Sequence, residues 1–192
     1  MYSQNNEEEV ILNYFKDFKG RFLDIGAWDG KTFSNTHALA NLGWSGVCLE
    51  PSPTSFKALQ TLYKDNKNIV CLEIGLSSGQ ETSRKDFYDS NGDAISTTEI
   101  EHTKKWGNVT FNKISIEIMP IDRIMMAFGD HYDMINLDVE STNIEMLYTL
   151  PLDRMGVKLI CVEYDGNPDA VINYCKGFKE ISRNGENIIM AR

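Results

Sequence analysis

The stretch GRFLDIGAWDGKTFSN, residues 20–35, decides the fold of this chain. Its first half has the apolar character of a short buried strand, which includes one aspartate near its end. Gly26 and Gly30 bracket a tight loop, and Thr32 or Ser34 could cap the helix that follows. A strand, a glycine loop and a helix N-terminus often bind nucleotide-like ligands. The stretch therefore predicts the first strand–helix unit of a nucleotide-binding α/β fold.

Strands and helices alternate along the rest of the chain. Apolar runs predict strands, and amphipathic or capped segments predict helices. The predicted strands cover residues 21–25, 44–50, 68–76, 132–140 and 157–165, and the predicted helices cover residues 7–19, 32–42, 142–150 and 168–175, with one more beginning near Ser52 or Thr54. The last two apolar segments flank Asn184-Gly185 and predict an antiparallel hairpin. We expect an α/β, Rossmann-like fold, with a mostly parallel central sheet, helices on both faces and a C-terminal hairpin.

The composition indicates one globular domain. The chain of 192 residues is long enough for one full core, so we expect a single domain over residues 1–192. The formal net charge is −9 and the isoelectric point is near 4.8. Binding to nucleic acid needs a concentrated Lys/Arg surface, so a nucleic-acid partner is not expected.

Targeting signals and cysteine spacing indicate the cellular compartment of the protein. The first residues, MYSQNNEEEV, have no basic start and no apolar core, unlike a secretory signal, and no apolar run is long enough to cross a membrane. Cys48, Cys71, Cys161 and Cys175 lack C-x-x-C spacing, which favours buried thiols in a reducing compartment. We therefore expect a cytoplasmic protein with no membrane partner.

Residues 77–119 form a long polar connection between the third strand and the next helix. Long connections in compact domains are usually functional or mobile. Open α/β sheets bind ligands beyond the C-terminal ends of their strands, so we expect this connection on the substrate side. Within it, Phe87, Tyr88 and Trp106 could line an acceptor pocket or pin the connection to the body of the protein. His102 could be a base, a substrate contact or a solvated side chain.

The glycine loop distinguishes between two nucleotide cofactors. A dinucleotide loop reads G-x-G-x-x-G, whereas this loop reads Asp24-x-Gly26-x-x-x-Gly30. The second pattern is typical of S-adenosylmethionine (SAM) methyltransferases, because an aminoacyl sulfonium needs a carboxylate near its positive groups. Asp24 supplies that charge, Gly26 lets the chain approach the ligand, and Gly30 lets the helix start tightly. Trp28 could shield the cofactor or pack against the first helix.

Glu50 ends the predicted second strand. In a neighbouring parallel strand it would lie near the ribose of the cofactor and accept hydrogen bonds from both hydroxyl groups. Sites for NAD use an acid in the same way. Glu50 therefore indicates a nucleoside in general and not SAM in particular.

Four motifs, in this order and spacing, resemble the FkbM-type class I SAM-dependent methyltransferases: FLDIGAWDGKTFSNT, GVCLEPSPTSFKAL, MPIDRI and YDMINLDVESTNIEML followed by ICVEYDG. The resemblance implies the class I methyltransferase fold and O-methylation of hydroxyl groups on sugars and other small metabolites. It also implies that Asp138 and Glu140 face the active site. The predicted cofactor-binding residues are Asp24, Gly26, Ala27, Trp28, Gly30, Glu50, Pro51, Gly75, Leu76 and Asp138.

The chain departs from the family pattern after Asp-Val-Glu. The family continues with a small glycine and a second acid, whereas this chain has Ser141-Thr142-Asn143. The expected function is O-methylation of a sugar or other small-molecule acceptor. The departure keeps open a non-catalytic SAM-binding protein, and the acidic surface keeps open a methyltransferase that acts on a protein or peptide.

Four carboxylates follow the predicted fourth and fifth strands. Asp138 and Glu140 alternate on one strand, Glu163 and Asp165 on the other, and parallel neighbours would bring them together. The cluster has three interpretations. It could hold Mg²⁺ or Mn²⁺, with all four residues as ligands. Crowding could instead make Asp138, Glu140 or Glu163 a general base, or the carboxylates could cap loops and face solvent.

Overall fold

The computed structural model of the chain describes residues 1–192. Its helices are α1 (Glu7–Phe15), α2 (His37–Asn41), α3 (Pro53–Tyr63), α4 (Ile100–Thr103), α5 (Ile121–Phe128), α6 (Asn143–Leu147) and α7 (Pro168–Tyr174). Its strands are β1 (Arg21–Ile25), β2 (Ser45–Leu49), β3 (Ile69–Leu72), β4 (Gly75–Ser77), β5 (Ser83–Asp89), β6 (Asn112–Pro120), β7 (Met134–Leu137), β8 (Leu159–Glu163), β9 (Lys179–Arg183) and β10 (Asn187–Ala191). No helix is long and apolar enough to cross a membrane.

Seven strands form the central sheet in the order β3-β2-β1-β7-β8-β10-β9. The first five run parallel, and β10 pairs antiparallel with both β8 and β9. This arrangement confirms the predicted mostly parallel sheet and the C-terminal hairpin. The strand order reverses direction between β1 and β7, and open α/β sheets bind ligands at such a switch point.

Apolar side chains cover both faces of the sheet. One buried cluster contains Leu23, Ile25 and Ile135, and the other contains Phe22, Cys48 and Met134. Neighbouring residues of β1 thus belong to opposite clusters, as the two-residue repeat of a strand requires. Burial on both faces explains why these strands are apolar throughout.

The third predicted strand, residues 68–76, is in fact two strands. β3 stays in the central sheet, whereas β4 leaves it and pairs parallel with β6. The second sheet has the order β4-β6-β5, with β5 and β6 antiparallel from Ser83 opposite Ile118 to Asp89 opposite Asn112. The long connection is therefore built on a small sheet, and its two hairpin-like pieces pair with each other.

Three predicted helices are clearly shorter in the structure, and the one expected over residues 142–150 covers only Asn143–Leu147. The segment expected to be helical from residue 32 starts only at His37, because Asp29 accepts hydrogen bonds from the backbone N–H groups of Lys31 and Thr32 and Phe33 has a positive φ of 55°. This local turn competes with helix formation. Helix α1 ends at Phe15 because the next residue also has a positive φ, of 51°.

Candidate active site

The carboxyl ends of β1, β2, β7 and β8 meet at one edge of the central sheet, next to a cavity of about 710 Å³. The second sheet and α4 cover this cavity from the other side. The predicted residues that line it are Asp24, Gly26, Ala27, Trp28, Glu50, Pro51, Gly75, Leu76, Asp138, Glu140 and Glu163. Gly30 and Asp165 do not line it. The cavity thus joins the predicted cofactor residues to three of the four predicted carboxylates.

Asp24 lies near the end of β1 with its side chain buried and hydrogen-bonded. Its Oδ2 accepts a hydrogen bond from the Thr36 hydroxyl at 2.6 Å, and its Oδ1 accepts one from Asn136 Nδ2 at 2.9 Å. Burial raises the pKa of Asp24, and the two hydrogen bonds oppose that rise. Asp24 is therefore fixed in place by partners from the loop before α2 and from β7.

Glu50 follows β2 and is held by backbone donors. Its Oε2 accepts a hydrogen bond from the Trp28 N–H at 2.8 Å, and its Oε1 accepts one from the Ser52 N–H at 2.7 Å. Burial raises the pKa of Glu50 to about 7, against the lowering effect of these two hydrogen bonds. The carboxylate therefore ties the glycine loop to the start of α3.

The two loop glycines are required by packing within the protein. A Cβ atom on Gly26 would lie 1.6 Å from the backbone oxygen of Asp138, and φ at Gly26 is +86°. A Cβ atom on Gly30 would lie 2.5 Å from Leu59 Cδ1, on α3. Gly26 therefore lets β1 and β7 approach each other, and Gly30 lets the loop pack on α3. The prediction that Gly30 starts a helix was wrong.

The connection is docked on the glycine loop and on the turn after β7. Trp28 Nε1 donates a hydrogen bond to the Gly92 carbonyl at 2.9 Å, and the Thr97 hydroxyl donates one to the Glu140 carbonyl at 3.1 Å. The Ser52 hydroxyl donates one to Asp89 at 2.6 Å. Trp28 thus lines the cavity and holds the connection, and its ring stacks on Phe33. Phe87 and Trp106 line the cavity, whereas Tyr88 does not.

The carboxylates after β7 and β8 come together, but not by strand alternation. The strands end at Leu137 and Glu163, and both Glu140 and Asp165 have positive φ, of 52° and 49°. The expected alternation beyond β7 and β8 was therefore wrong. Tight turns bring the side chains together instead.

Asn143 organises this cluster. It is fully buried, and its Nδ2 donates hydrogen bonds to Glu163 Oε2 at 2.6 Å and to Asp165 Oδ1 at 3.4 Å. Its backbone N–H donates to Asp165 Oδ2 at 3.1 Å, and its Oδ1 accepts from the Val139 N–H at 2.8 Å. The residue that departs from the family pattern thus has a structural role that the sequence did not reveal.

Crowding raises the pKa values of the acids around Asn143. Burial and then Glu163 raise the pKa of Asp138 well above its ordinary value. Burial, Glu163 and Asp165 raise the pKa of Glu140 to about 8. One or more of these carboxyl groups therefore titrates near neutral pH, and its ionised form can act as a general base.

The structure gives the metal prediction no support. No group of three or more His, Cys, Asp or Glu side chains is arranged to hold a metal ion. Asp165, one of the four predicted ligands, is exposed, outside the cavity and bonded to Asn143. Three of the four carboxylates instead contact an amide or an imidazole group, since Glu163 and Asp165 contact Asn143 and Glu140 contacts His102.

His102 enters the site from α4. It is 8% exposed, and its Nε2 lies 3.1 Å from Glu140 Oε2. Its Nδ1 lies 2.5 Å from the Ser141 hydroxyl. Of the three interpretations of His102, the solvated side chain was therefore wrong. Nothing in the sequence joins His102 to Ser141, which lie 39 residues apart.

Two buried polar atoms in the cavity wall lack a partner. Asn35 Oδ1 and Ser55 Oγ make no hydrogen bond, although the two residues are only 6% and 3% exposed. Buried polar atoms nearly always have partners, so these two are free for a ligand. Together with Asp24 and Glu50 they offer hydrogen-bond acceptors to ammonium and hydroxyl groups, which suits an aminoacyl nucleoside. The sequence analysis missed both residues.

The strand order and the site at the switch point define a class I methyltransferase fold. The structure of monomeric WbdD aligns with a TM-score of 0.55 at 12% identity, over 97% of this chain and 41% of that one. The structure of the ribosomal protein L11 methylase from Lactobacillus delbrueckii subsp. bulgaricus aligns with a TM-score of 0.52 at 12% identity, over 96% and 75%. The chain thus spans about two fifths of the WbdD chain.

The family follows from the sequence. The model of the methyltransferase FkbM domain matches residues 24–181, so the chain belongs to this family of methyltransferases, as its motifs predicted. No curated protein matches the chain in sequence. Family and fold together make the chain a methyltransferase in class and leave its acceptor undefined.

Proposed function

We propose that the protein is a SAM-dependent methyltransferase that methylates a hydroxyl group of a sugar or other small metabolite. The observation that carries this proposal is the single cavity that joins Asp24 and Glu50 to Glu140 and Glu163. One end offers acceptors that suit the cofactor, and the other offers carboxyl groups with raised pKa values. A methyl donor and a proton acceptor in one enclosed space are what O-methylation requires.

The residues on the β1–β2 side would hold the cofactor. Asp24, Asn35 and the loop at Gly26 fit its aminoacyl part, while Glu50 and Ser55 fit the hydroxyl groups of its ribose. Bound there, the cofactor supplies an electrophilic methyl group on a positively charged sulfur. The chain itself must orient the acceptor hydroxyl, exclude water and remove the hydroxyl proton.

The residues on the β7–β8 side would perform the last of these tasks. Glu140 lines the cavity, and its pKa of about 8 is close to working pH. A base of this strength, once ionised, accepts a proton from a polarised hydroxyl group efficiently. The covering connection supports water exclusion, because its hydrogen bonds to both halves of the site close the cavity from above.

A small acceptor suits the size and the charge of the site. A cavity of about 710 Å³ falls within the range of pockets that bind small molecules. A hydroxyl-rich acceptor finds partners among the carboxyl groups that line it. The net charge of −9 supports the absence of a nucleic-acid partner in this proposal.

The test is calorimetry with SAM and S-adenosylhomocysteine, followed by transfer of labelled methyl groups to sugar and metabolite pools. We expect both ligands to bind and Glu50→Gln to weaken binding about tenfold through loss of a charged hydrogen-bond acceptor. Glu73→Gln is the matched control, because Glu73 is exposed and lies outside the cavity. Absence of binding would overturn the proposal.

The same assay separates the alternatives. Binding without transfer to any acceptor would favour a SAM-binding protein without catalysis. Transfer only to basic peptides would favour a protein acceptor. Each assay is run in EDTA and again with added Mg²⁺ or Mn²⁺, and full turnover in EDTA would remove any metal requirement.

A further inference from the structure

His102 is the one imidazole in the cavity wall, and each of its nitrogen atoms faces two groups. Nδ1 lies 2.5 Å from the Ser141 hydroxyl and 3.5 Å from Lys105 Nζ. Nε2 lies 3.1 Å from both Glu140 Oε2 and Trp106 Nε1. All the contacting groups come from α4, from the residues just after it or from the turn after β7. His102 therefore joins the connection to the acidic side of the site.

The two groups at Nε2 make opposite demands on it. The Trp106 indole can only donate, so its hydrogen bond needs a lone pair on Nε2. An ionised Glu140 can only accept, so its hydrogen bond needs a proton on Nε2. A single nitrogen cannot meet both demands. The tautomer of neutral His102 is therefore linked to the protonation state of the Glu140 carboxyl group.

Ser141 is compatible with both tautomers. Its hydroxyl can accept a hydrogen bond from Nδ1–H or donate one to a bare Nδ1, because a hydroxyl rotates to suit its partner. The Ser141 oxygen need not move when the imidazole changes tautomer, whereas the Lys105 ammonium, which can only donate, suits only a bare Nδ1. Ser141 replaces a residue that is a small glycine in the family pattern, and here its side chain fills this role.

The charges around the pair favour a protonated Glu140. Glu163, Asp165 and Glu186 all raise its pKa, after burial as the main cause, while Lys105 lowers it. Burial and Lys105 lower the pKa of His102, and Asp165 raises it. The lowered pKa keeps the His102 imidazole neutral, so the hydrogen bond between His102 and Glu140 involves no buried imidazolium.

We propose that His102 is a positioning residue for Glu140, which accepts the proton of the methyl acceptor. The proposal rests on the proposed function and names how its base is held. A C–O bond forms at the acceptor hydroxyl, and its O–H bond breaks. The proton goes to Glu140, and the electron pair of the broken S–C bond stays on the sulfur of the methyl donor, which leaves as a neutral thioether. While Glu140 is ionised, the Nε2–H tautomer of His102 donates a hydrogen bond to it and holds the carboxylate in place for the acceptor proton.

The test reads the tautomer of His102 by ¹⁵N and ¹³C NMR in the chain without ligand, at one pH above the Glu140 pKa of about 8, where Glu140 is ionised. Trp106→Phe removes the donor at Nε2, and we expect the Nε2–H tautomer, which donates to Glu140. Glu140→Ala removes the acceptor, and we expect the Nδ1–H tautomer, with Nε2 bonded to Trp106. The melting temperature of each variant controls for folding. The same tautomer in both variants would overturn the link between His102 and Glu140.

Kinetics supply the second readout. We expect His102→Ala to lower kcat about 100-fold with little change in KM, because the base loses its orientation. In His102→Gln the amide group can replace Nε2, so we expect its kcat to be about tenfold higher than that of His102→Ala. Equal loss in both variants would overturn the positioning role. The two variants could show opposite tautomers while the chain transfers no methyl group. That result would overturn the proposed function and would still support the link between His102 and Glu140.

Discussion

The two halves of the site treat their carboxylates differently. On the β1–β2 side, Asp24 and Glu50 each have both oxygen atoms bonded to donors from fixed backbone or buried side chains. On the β7–β8 side, Asp138, Glu140 and Glu163 share few donors, and burial with neighbouring carboxylates raises their pKa values. The first half therefore holds each of its carboxylates in one fixed orientation, whereas the second half gathers several carboxyl groups that compete for few donors.

The largest effect on stability is expected at the contact between Gly26 in the first half and Asp138 in the second. In Gly26→Ala the new methyl group would meet the Asp138 carbonyl at a backbone conformation that alanine rarely adopts. We expect a loss of about 4 kcal/mol in the free energy of unfolding and no cofactor binding. Denaturant unfolding measures the loss. Gly107→Ala is the control, since a Cβ atom there meets nothing within 4 Å.

A change in one half alone should separate catalysis from cofactor binding. Glu140→Gln keeps the shape of the side chain but removes the proton acceptor, so we expect kcat to fall about 100-fold. Binding of S-adenosylhomocysteine should not change, because Glu140 lies on the opposite half. Calorimetry and initial rates test this. A large loss of binding would show that the halves are not independent.

The pH dependence should carry opposite signs for stability and rate. The pKa of Glu140 rises from an ordinary 4.5 to about 8 on folding, so the folded chain binds more protons than the unfolded chain between these values. Stability should therefore fall, by about 3 kcal/mol, as pH rises from about 5 to 8. The rate should rise over pH 7 to 9, as Glu140 ionises. Unfolding at several pH values tests the first. Glu140→Gln should flatten the rate curve and reduce, without abolishing, the fall in stability, because burial also raises the pKa values of Glu50, Asp138 and Glu163.

The smallest effect is expected at the contact between the connection and the first half. Trp28→Phe removes the hydrogen bond to the Gly92 carbonyl, which should cost about 1 kcal/mol locally. We expect faster hydrogen exchange of the backbone amides in residues 90–96. Trp44→Phe is the control, because it removes a comparable hydrogen bond, to the Phe18 carbonyl, away from the connection. Equal exchange in both variants would contradict the docking role of Trp28.

The sequence predicted the first half of the site better than the second. Residues 21–25 form β1 as expected, and Ser52 caps α3 as expected, because buried strands and N-caps leave local patterns. Asp24 and Glu50 both reach the cavity. Asn35 and Ser55 were missed because their role depends on lacking a partner, which no sequence pattern records.

The second half depends on contacts between distant segments. Glu140 and Ser141 have positive φ although neither is glycine, so the turn that gathers the acids left no mark in the sequence. The switch of β4 into a second sheet was hidden in the run NIVCLEIGL, which is apolar on both sides of Glu73. His102 reaches its partners only after the connection has folded.

The small sheet of β4, β5 and β6 also bears on how acceptor preference can be altered. The pairing of β5 with β6 fixes residues 89 and 112 opposite each other. The segment between them therefore begins and ends on the same pair of strands. Under the proposed function, grafts of residues 90–111 joined at these two positions, with His102 and Trp106 retained, should change the acceptor and keep the contact with Glu140.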